Sequence, residues 1–207
     1  MDPDEARRVA EHQRACFNQA VDAFDVPQPA EVLDRLGKIV AAAAIAPGET
    51  VLDVGAGVGV LVPLIRRYRP GRIIACDLAE RMLERLALKY PEVEVRRADI
   101  AVLDLPSSSV DVAFLNAMYG NIADKAAAHR NLGRMLRPGG RLLVSHPEGR
   151  AFVDQLRATS DLFIEGYPTR AEFAAALAPH GMVVVEFRDE PQLYLMLATK
   201  MAPDPQD

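Results

Sequence analysis

The stretch that most constrains this chain is Val51-Leu52-Asp53-Val54-Gly55-Ala56-Gly57-Val58-Gly59. An apolar run with an acid near its end breaks into three glycines at alternate positions, and a helical pattern of Val60, Leu61, Leu64, Ile65 and Tyr68 follows at once. That order reads as a buried strand, a tight turn and a helix. Glycine suits such a turn because it reaches backbone angles closed to other residues and lets a ligand approach the main chain closely. The turn also delivers a ligand to the unpaired N–H groups of a helix start. A dinucleotide fingerprint, G-x-G-x-x-G, needs glycine at position 60. Here that position is Val60, and the third glycine comes one residue early. The spacing therefore disfavours a pyrophosphate-binding turn. On this stretch alone a purely structural glycine turn stays open, since such turns are common in α/β domains.

Composition narrows the classes of partner. Half of the 207 residues are apolar, enough for one good core, and the net charge is −5 without a long basic run. Arg66-Arg67 with Arg69, and Arg96-Arg97, are short clusters that read as solvated surface. Nucleic acid is therefore not the expected partner. Cys16 and Cys76 lie far apart and imply no disulfide framework. The acidic start Met1-Asp2-Pro3-Asp4-Glu5 lacks an apolar signal region, and no apolar stretch reaches membrane-spanning length. A soluble, cytoplasmic chain with no membrane contact is expected.

A first helix over 4–24 is expected from Phe17, Ala20, Val21 and Phe24, stopped by Pro27-Gln28-Pro29; a second runs from about Pro29 to Ala46. One of the two is extra to a minimal strand–helix sheet, and either packs on the core or covers a ligand cleft. Strand two, Arg72 to Cys76, ends at Asp77, 18 residues beyond Gly59. In dinucleotide folds a ribose-binding acid sits about 20 residues past the fingerprint; for a lone acid here, an N-cap is the alternative. Strand three, 93–97, leads into Ala98-Asp99-Ile100, and strand four, 110–115, into Asn116-Ala117-Met118-Tyr119. His129 falls on the apolar stripe of the next helix and reads as a structural histidine. Leu136-Arg137-Pro138-Gly139-Gly140 turns into strand five, with His146 at its end. A helical stretch covers 147–161, and Thr169 with Glu172 forms a capping box that opens a helix closed by Gly181. Strands over 182–187 and 192–199 flank a turn at 188–191, and 200–207 is a polar tail. This alternation predicts an α/β fold: an open, mostly parallel, seven-stranded Rossmann-like sheet with helices on both faces and a C-terminal antiparallel hairpin. Ligands of such sheets sit beyond the carboxyl ends of the strands.

The string D-V-G-A-G-V-G resembles motif I of the class I S-adenosylmethionine-dependent methyltransferases, and the L-x-P-G-G turn before strand five and the final hairpin are similar to that family as well. The resemblance implies one domain over 1–207, with 1–28 as an N-terminal helical cap, and S-adenosyl-L-methionine as cofactor. It places the methionine part over Gly55, Ala56, Gly57 and Gly59, the ribose at Asp77, and the adenine at Asp99 and Ile100. Asp53, Leu78, Met82 and Asn116 complete the expected cofactor set. It implies methyl transfer to a small-molecule acceptor, with no metal. Many small-molecule members carry histidines after strand four, where this chain has Met118-Tyr119, so the acceptor and catalytic details stay open. The acceptor pocket is expected among Phe17, Tyr119 and Phe152. His146 is the expected general base, as the one histidine at the carboxyl end of a central strand, with an unperturbed pKa of about 6.5. Glu148 could orient it, and Tyr119 is expected to orient substrate. An NAD(P)-dependent oxidoreductase of Rossmann type and a non-catalytic cofactor-binding protein are the alternatives.

Overall fold

The computed structural model describes residues 1–202; the end of the polar tail, 203–207, lies outside the described residues. Seven strands form one sheet: β1 (Thr50–Val54), β2 (Arg72–Asp77), β3 (Glu94–Arg97), β4 (Val110–Asn116), β5 (Leu136–His146), β6 (Met182–Glu190) and β7 (Leu193–Lys200). Their order is β3-β2-β1-β4-β5-β7-β6. β1 to β5 pair in parallel, and β7 runs antiparallel to both β5 and β6. The chain moves outward from β1 to β3, then returns to lay β4 against the free side of β1. That reversal opens a crevice at the carboxyl ends of the strands.

The helices are α1 (Pro3–Gln19), α2 (Val21–Phe24), α3 (Ala30–Ala42), α4 (Val62–Ile65), α5 (Glu80–Lys89), α6 (Lys125–Met135), α7 (Gly149–Thr159) and α8 (Arg170–Leu177). Successive strand residues point to opposite faces, so the sheet feeds two cores. Leu52, Ile74 and Leu115 join Leu132 of α6, Val153 of α7 and Phe173 of α8 on one side. Val51, Ile73 and Phe114 join Leu36 of α3, Leu64 of α4 and Leu86 of α5 on the other.

Four expectations shift in detail. The first helix breaks at Ala20 (ψ 4°), which lets α2 turn and bury Val21. The helix after the glycine turn is short, since Pro63 stands at its start and Arg69 takes a left-handed conformation (φ 54°) after one 3-10 turn. β5 begins at Leu136, which pairs with Val110. The final hairpin turns at Pro191-Gln192, because the ladder runs on to Glu190↔Leu193. The capping box of α8 forms as expected: the Glu172 N–H donates to Thr169 Oγ1 at 3.3 Å and the Thr169 N–H to Glu172 Oε2 at 2.7 Å.

α1 and α2 lie across α5. The Arg81 N–H donates to Asn18 Oδ1 (3.0 Å), Arg85 pairs with Asp22 at 3.0 Å, and Arg85 and Lys89 converge on Asp25. Val21, Ala79 and Met82 pack together beneath this crossing, with Phe17 and Val58 against them.

Candidate active site

A cavity of about 560 Å³ opens at the carboxyl ends of the central strands, with residues of α1 and α2 along one wall. The glycines of the turn after β1 all take positive φ: Gly55 63°, Gly57 53°, Gly59 88°. Their side-chain space differs. A Cβ on Gly55 would stand 2.6 Å from Met118 Cγ, so this glycine admits Met118. A Cβ on Gly57 would meet nothing within 4 Å, and this residue lines the cavity. A Cβ on Gly59 would stand 3.0 Å from Leu86 Cγ and from Tyr90 Cε2, so Gly59 lets the turn and α5 close on each other. Gly55, Ala56 and Gly57 line the cavity; Gly59, expected beside them, faces α5 instead.

Asp53 is likewise displaced from the expected set. It is 2% exposed and lies beneath the turn without lining the cavity, and its Oδ2 has no hydrogen-bond partner among the described residues. Burial, and then the nearby Asp77, push its pKa up to about 8. Asp77 does reach the cavity. Its Oδ2 accepts the Gly57 N–H and its Oδ1 the Ala79 N–H, both at 2.9 Å, so it braces the glycine turn. Burial raises its pKa and these bonds oppose the rise. Asp99, whose Oδ1 accepts the Ala101 N–H (2.9 Å), lines the same wall with Ile100, Leu78 and Met82. Asn116 lines it from β4, its Oδ1 accepting from the Ser145 hydroxyl at 3.0 Å.

His146 lines the cavity from the end of β5, with its ring centroid 5.4 Å from Phe152 and 5.9 Å from Tyr167. Its Nδ1 accepts the Glu148 N–H at 3.1 Å. A neutral ring then carries its hydrogen on Nε2. Burial pulls its pKa down to about 4. Glu148 thus orients the ring through its backbone, while its carboxylate pairs with Arg35 at 3.0 Å.

Tyr119 corrects the expected acceptor pocket. It is 3% exposed and does not line the cavity. The 3-10 turn Tyr119–Asn121 rolls it inward, where its hydroxyl bonds His129 Nε2 at 3.1 Å and its ring meets Tyr167 and Phe173. Burial raises its pKa, as burial lowers that of His129 to about 4. Phe17 and Phe152, expected with it, do line the cavity.

Sequence reasoning expected the pocket against the 116–121 loop but singled out neither Gln13 nor the bond that Asn121 makes beside it, and both residues line the cavity. Gln13, 1% exposed, donates from Nε2 to the Phe163 carbonyl at 2.7 Å, and Asn121 Nδ2 donates to the same oxygen at 3.2 Å. Gln13 sits one helical turn before Phe17, a spacing that puts both on one face. The charged side chains along the cavity are Asp77 and Asp99; no lysine or arginine lines it among the described residues.

An open α/β sheet with a glycine turn after β1, acids after β2 and β3, and a reversal beside β1 defines a Rossmann-like domain for a nucleoside cofactor. A family described as "Methyltransferase domain" matches residues 52–144. An arsenite methyltransferase of Halobacterium salinarum is 32% identical over 179 residues, 80% of this chain and 46% of its own. A malonyl-[acyl-carrier protein] O-methyltransferase of Halorhodospira halophila is 32% identical over 153 residues, 69% and 50%. The chain spans half or less of the length of such curated relatives. Among solved structures, a SAM dependent methyltransferase from Aquifex aeolicus superposes with TM-score 0.70 at 20% identity, covering 89% of this chain and 98% of that one. A chain from the complex of the Haloferax volcanii Trm112 methyltransferase activator with its methyltransferase superposes at 0.79 and 17% identity, covering 90% and 98%. At those identities the likeness is one of fold. Residues 52–144 thus match a methyltransferase-domain family, and relatives similar to this chain include proteins named as S-adenosylmethionine-dependent methyltransferases, whose cofactor is S-adenosyl-L-methionine. Among the described residues no helix is long and apolar enough to cross a membrane.

Proposed function

We propose that this chain transfers the methyl group of S-adenosylmethionine to a small-molecule acceptor. One domain over 1–207 does so, with 1–28 as its cap. The carrying observation is the sign of the charge around the glycine turn. Asp77 lines the cavity, Asp53 lies under it with an unpartnered oxygen, and no basic side chain lines it among the described residues. A ligand bearing a sulfonium and an ammonium relieves two buried acids; the pyrophosphate of a nicotinamide cofactor would add like charge to them. The open face of Gly57 agrees with a ligand lying against the main chain.

In this reading Gly55, Ala56 and Gly57 lie under the methionine part, Asp77 holds the ribose, and Asp99 takes the adenine amino group. Ile100, Leu78 and Met82 supply apolar contact, and Asn116 borders the reacting end. Asp53 acts from below as a carboxyl that a bound cation would help to ionise, and Gly59 acts through packing. Held by these residues, the cofactor would supply an electrophilic methyl group for a nucleophile of the acceptor. The residues orient the partners and exclude solvent. The free thiols Cys16 and Cys76 agree with a reducing compartment, so we place the protein in the cytoplasm. An acid-lined cavity likewise does not suit nucleic acid.

Calorimetric titration with S-adenosylhomocysteine and with NAD tests this. The first is expected to bind and the second not. Gly57→Val is expected to weaken S-adenosylhomocysteine at least about tenfold, since its side chain enters the open face, and circular dichroism should show the fold retained. Unchanged affinity in the folded variant would put the cofactor elsewhere.

A further inference from the structure

Resting on the methyltransferase reading above, we propose that the acceptor half of the cavity takes a neutral, largely apolar molecule with one hydrogen-bond-accepting oxygen, and that His146 holds this oxygen through its Nε2–H instead of serving as a base.

Sheet order separates the two halves. Neighbouring strands lie about 4.8 Å apart, and the order β3-β2-β1-β4-β5 sets Asp99, Asp77 and the glycine turn in sequence across the crevice. His146, on β5, is two strands beyond the turn, roughly 10 Å on. The acceptor therefore faces the ends of β4 and β5.

The walls there include Ile122, Phe152, Leu156, Leu162 and Ile164. The charged lining residues, Asp77 and Asp99, are at the other end. Charged groups near this end are paired off the lining: Arg35 with Glu148 at 3.0 Å, Lys125 with Glu165, and Arg150 with Asp189 at 2.6 Å. A carboxylate or phosphate entering this half would lose water and gain no cation; an ammonium would gain no acid. Burying an uncompensated charge is strongly unfavourable. A neutral ring system meets no such penalty.

The polar groups narrow the choice further. Gln13 and Asn121 spend a donor each on the Phe163 carbonyl, and Asn116 Oδ1 accepts from Ser145. His146 has its Nδ1 engaged by the Glu148 N–H, which leaves Nε2–H as the hydrogen the ring can offer. To act as a base it would have to take a proton at Nδ1, break that bond, and place a charge beside Phe152 and Tyr167. Its low pKa, set by burial, points the same way.

The test uses one ring with three charges. With S-adenosylhomocysteine at saturation, 2-naphthol, 2-naphthoate and 2-naphthylmethylamine are titrated calorimetrically into the full chain. The neutral naphthol is expected to bind at least about tenfold more tightly than either ion. His146→Gln, which keeps an N–H near the same place, should hold naphthol within roughly twofold. His146→Ala should lose roughly threefold to tenfold, the range of one neutral hydrogen bond. Nitrogen-15 spectra of the wild-type ring at neutral pH should show the Nε2–H tautomer. Equal or tighter binding of an ion, binding of none of the three, or an Nδ1–H tautomer overturns the proposal. Failure of S-adenosylhomocysteine itself to bind shows in the first titration and overturns the methyltransferase reading instead.

Discussion

Asp53 carries an opposition between stability and binding in a single side chain. Its carboxyl is buried, its Oδ2 lacks a partner among the described residues, and its pKa is pushed up to about 8. In the unfolded chain the same group titrates near 3.9. A raised folded value adds stability that is full below about pH 4 and is lost as pH rises through about 8. Asp53→Asn has no such loss. Its stability relative to wild type should climb as pH rises from about 4 to 8, and at pH 9 the gain should be on the order of a kcal/mol or more. Urea unfolding of both proteins at pH 6 and pH 9 measures it. At pH 9, where the wild-type carboxyl is ionised, the same variant should bind S-adenosylmethionine more weakly, since a negative charge under the turn is gone. An advantage over wild type no larger at pH 9 than at pH 6 would show that Asp53 is solvated in the folded protein. Single residues are also where the sequence was least legible. Gly57 and Gly59 look alike in the string, yet one faces open space and the other α5. Tyr119 could face either way after β4 until the 3-10 turn chose the core. The tautomer of His146 depends on one backbone N–H two residues on, which no spacing shows.

The cap is the element whose behaviour separates from that of the sheet. α1 and α2 are held on α5 by ion pairs and hydrogen bonds, with Arg85 and Lys89 meeting on Asp25, around a small buried cluster of Val21, Ala79 and Met82. Such half-exposed pairs are screened by salt. Asp25→Ala should therefore speed tryptic cleavage within residues 1–28, and high salt should do the same to wild type. The melting temperature of the remainder should move by less than about 2 °C. Cleavage at the wild-type rate would mean that Val21 and Phe17, packed against Met82, hold the cap alone. The elements themselves were readable, because each announces its ends chemically: the prolines before α3, the Thr169–Glu172 box, the glycine turn after β1. Lengths were less so. The break at Ala20 has no glycine or proline to mark it, and β5 starts before its Pro-Gly-Gly turn because Val110 offers Leu136 a partner.

At the scale of the whole molecule, three buried groups set the pH range of the fold. His129 and His146 both have pKa values pulled down to about 4, against about 6.5 unfolded. The unfolded chain then binds more protons, so stability is lost as pH falls from about 6.5 to 4. Asp53 acts from the other side. The melting temperature should therefore peak at mildly acidic to neutral pH and fall both ways, which a calorimetric series from pH 4 to pH 9 would check. His146→Gln should flatten the acid limb, and a limb unchanged in that variant would assign it to His129 and the carboxylates. Strand order is a property of this scale too. Periodicity locates each strand but does not say that β4 returns to β1, which depends on contacts far apart in the chain.

The Phe163 carbonyl, held by Gln13 from α1 and by Asn121 from the loop after β4, fastens roof to rim at one oxygen. Taken without the rest of the cap's contacts, two neutral bonds of about 1 kcal/mol each would leave such a latch undone for roughly one part in thirty at equilibrium. In the proposed enzyme, reagents would then pass in brief windows, and turnover would acquire a ceiling set by how often the door swings, whatever the speed of the chemistry behind it.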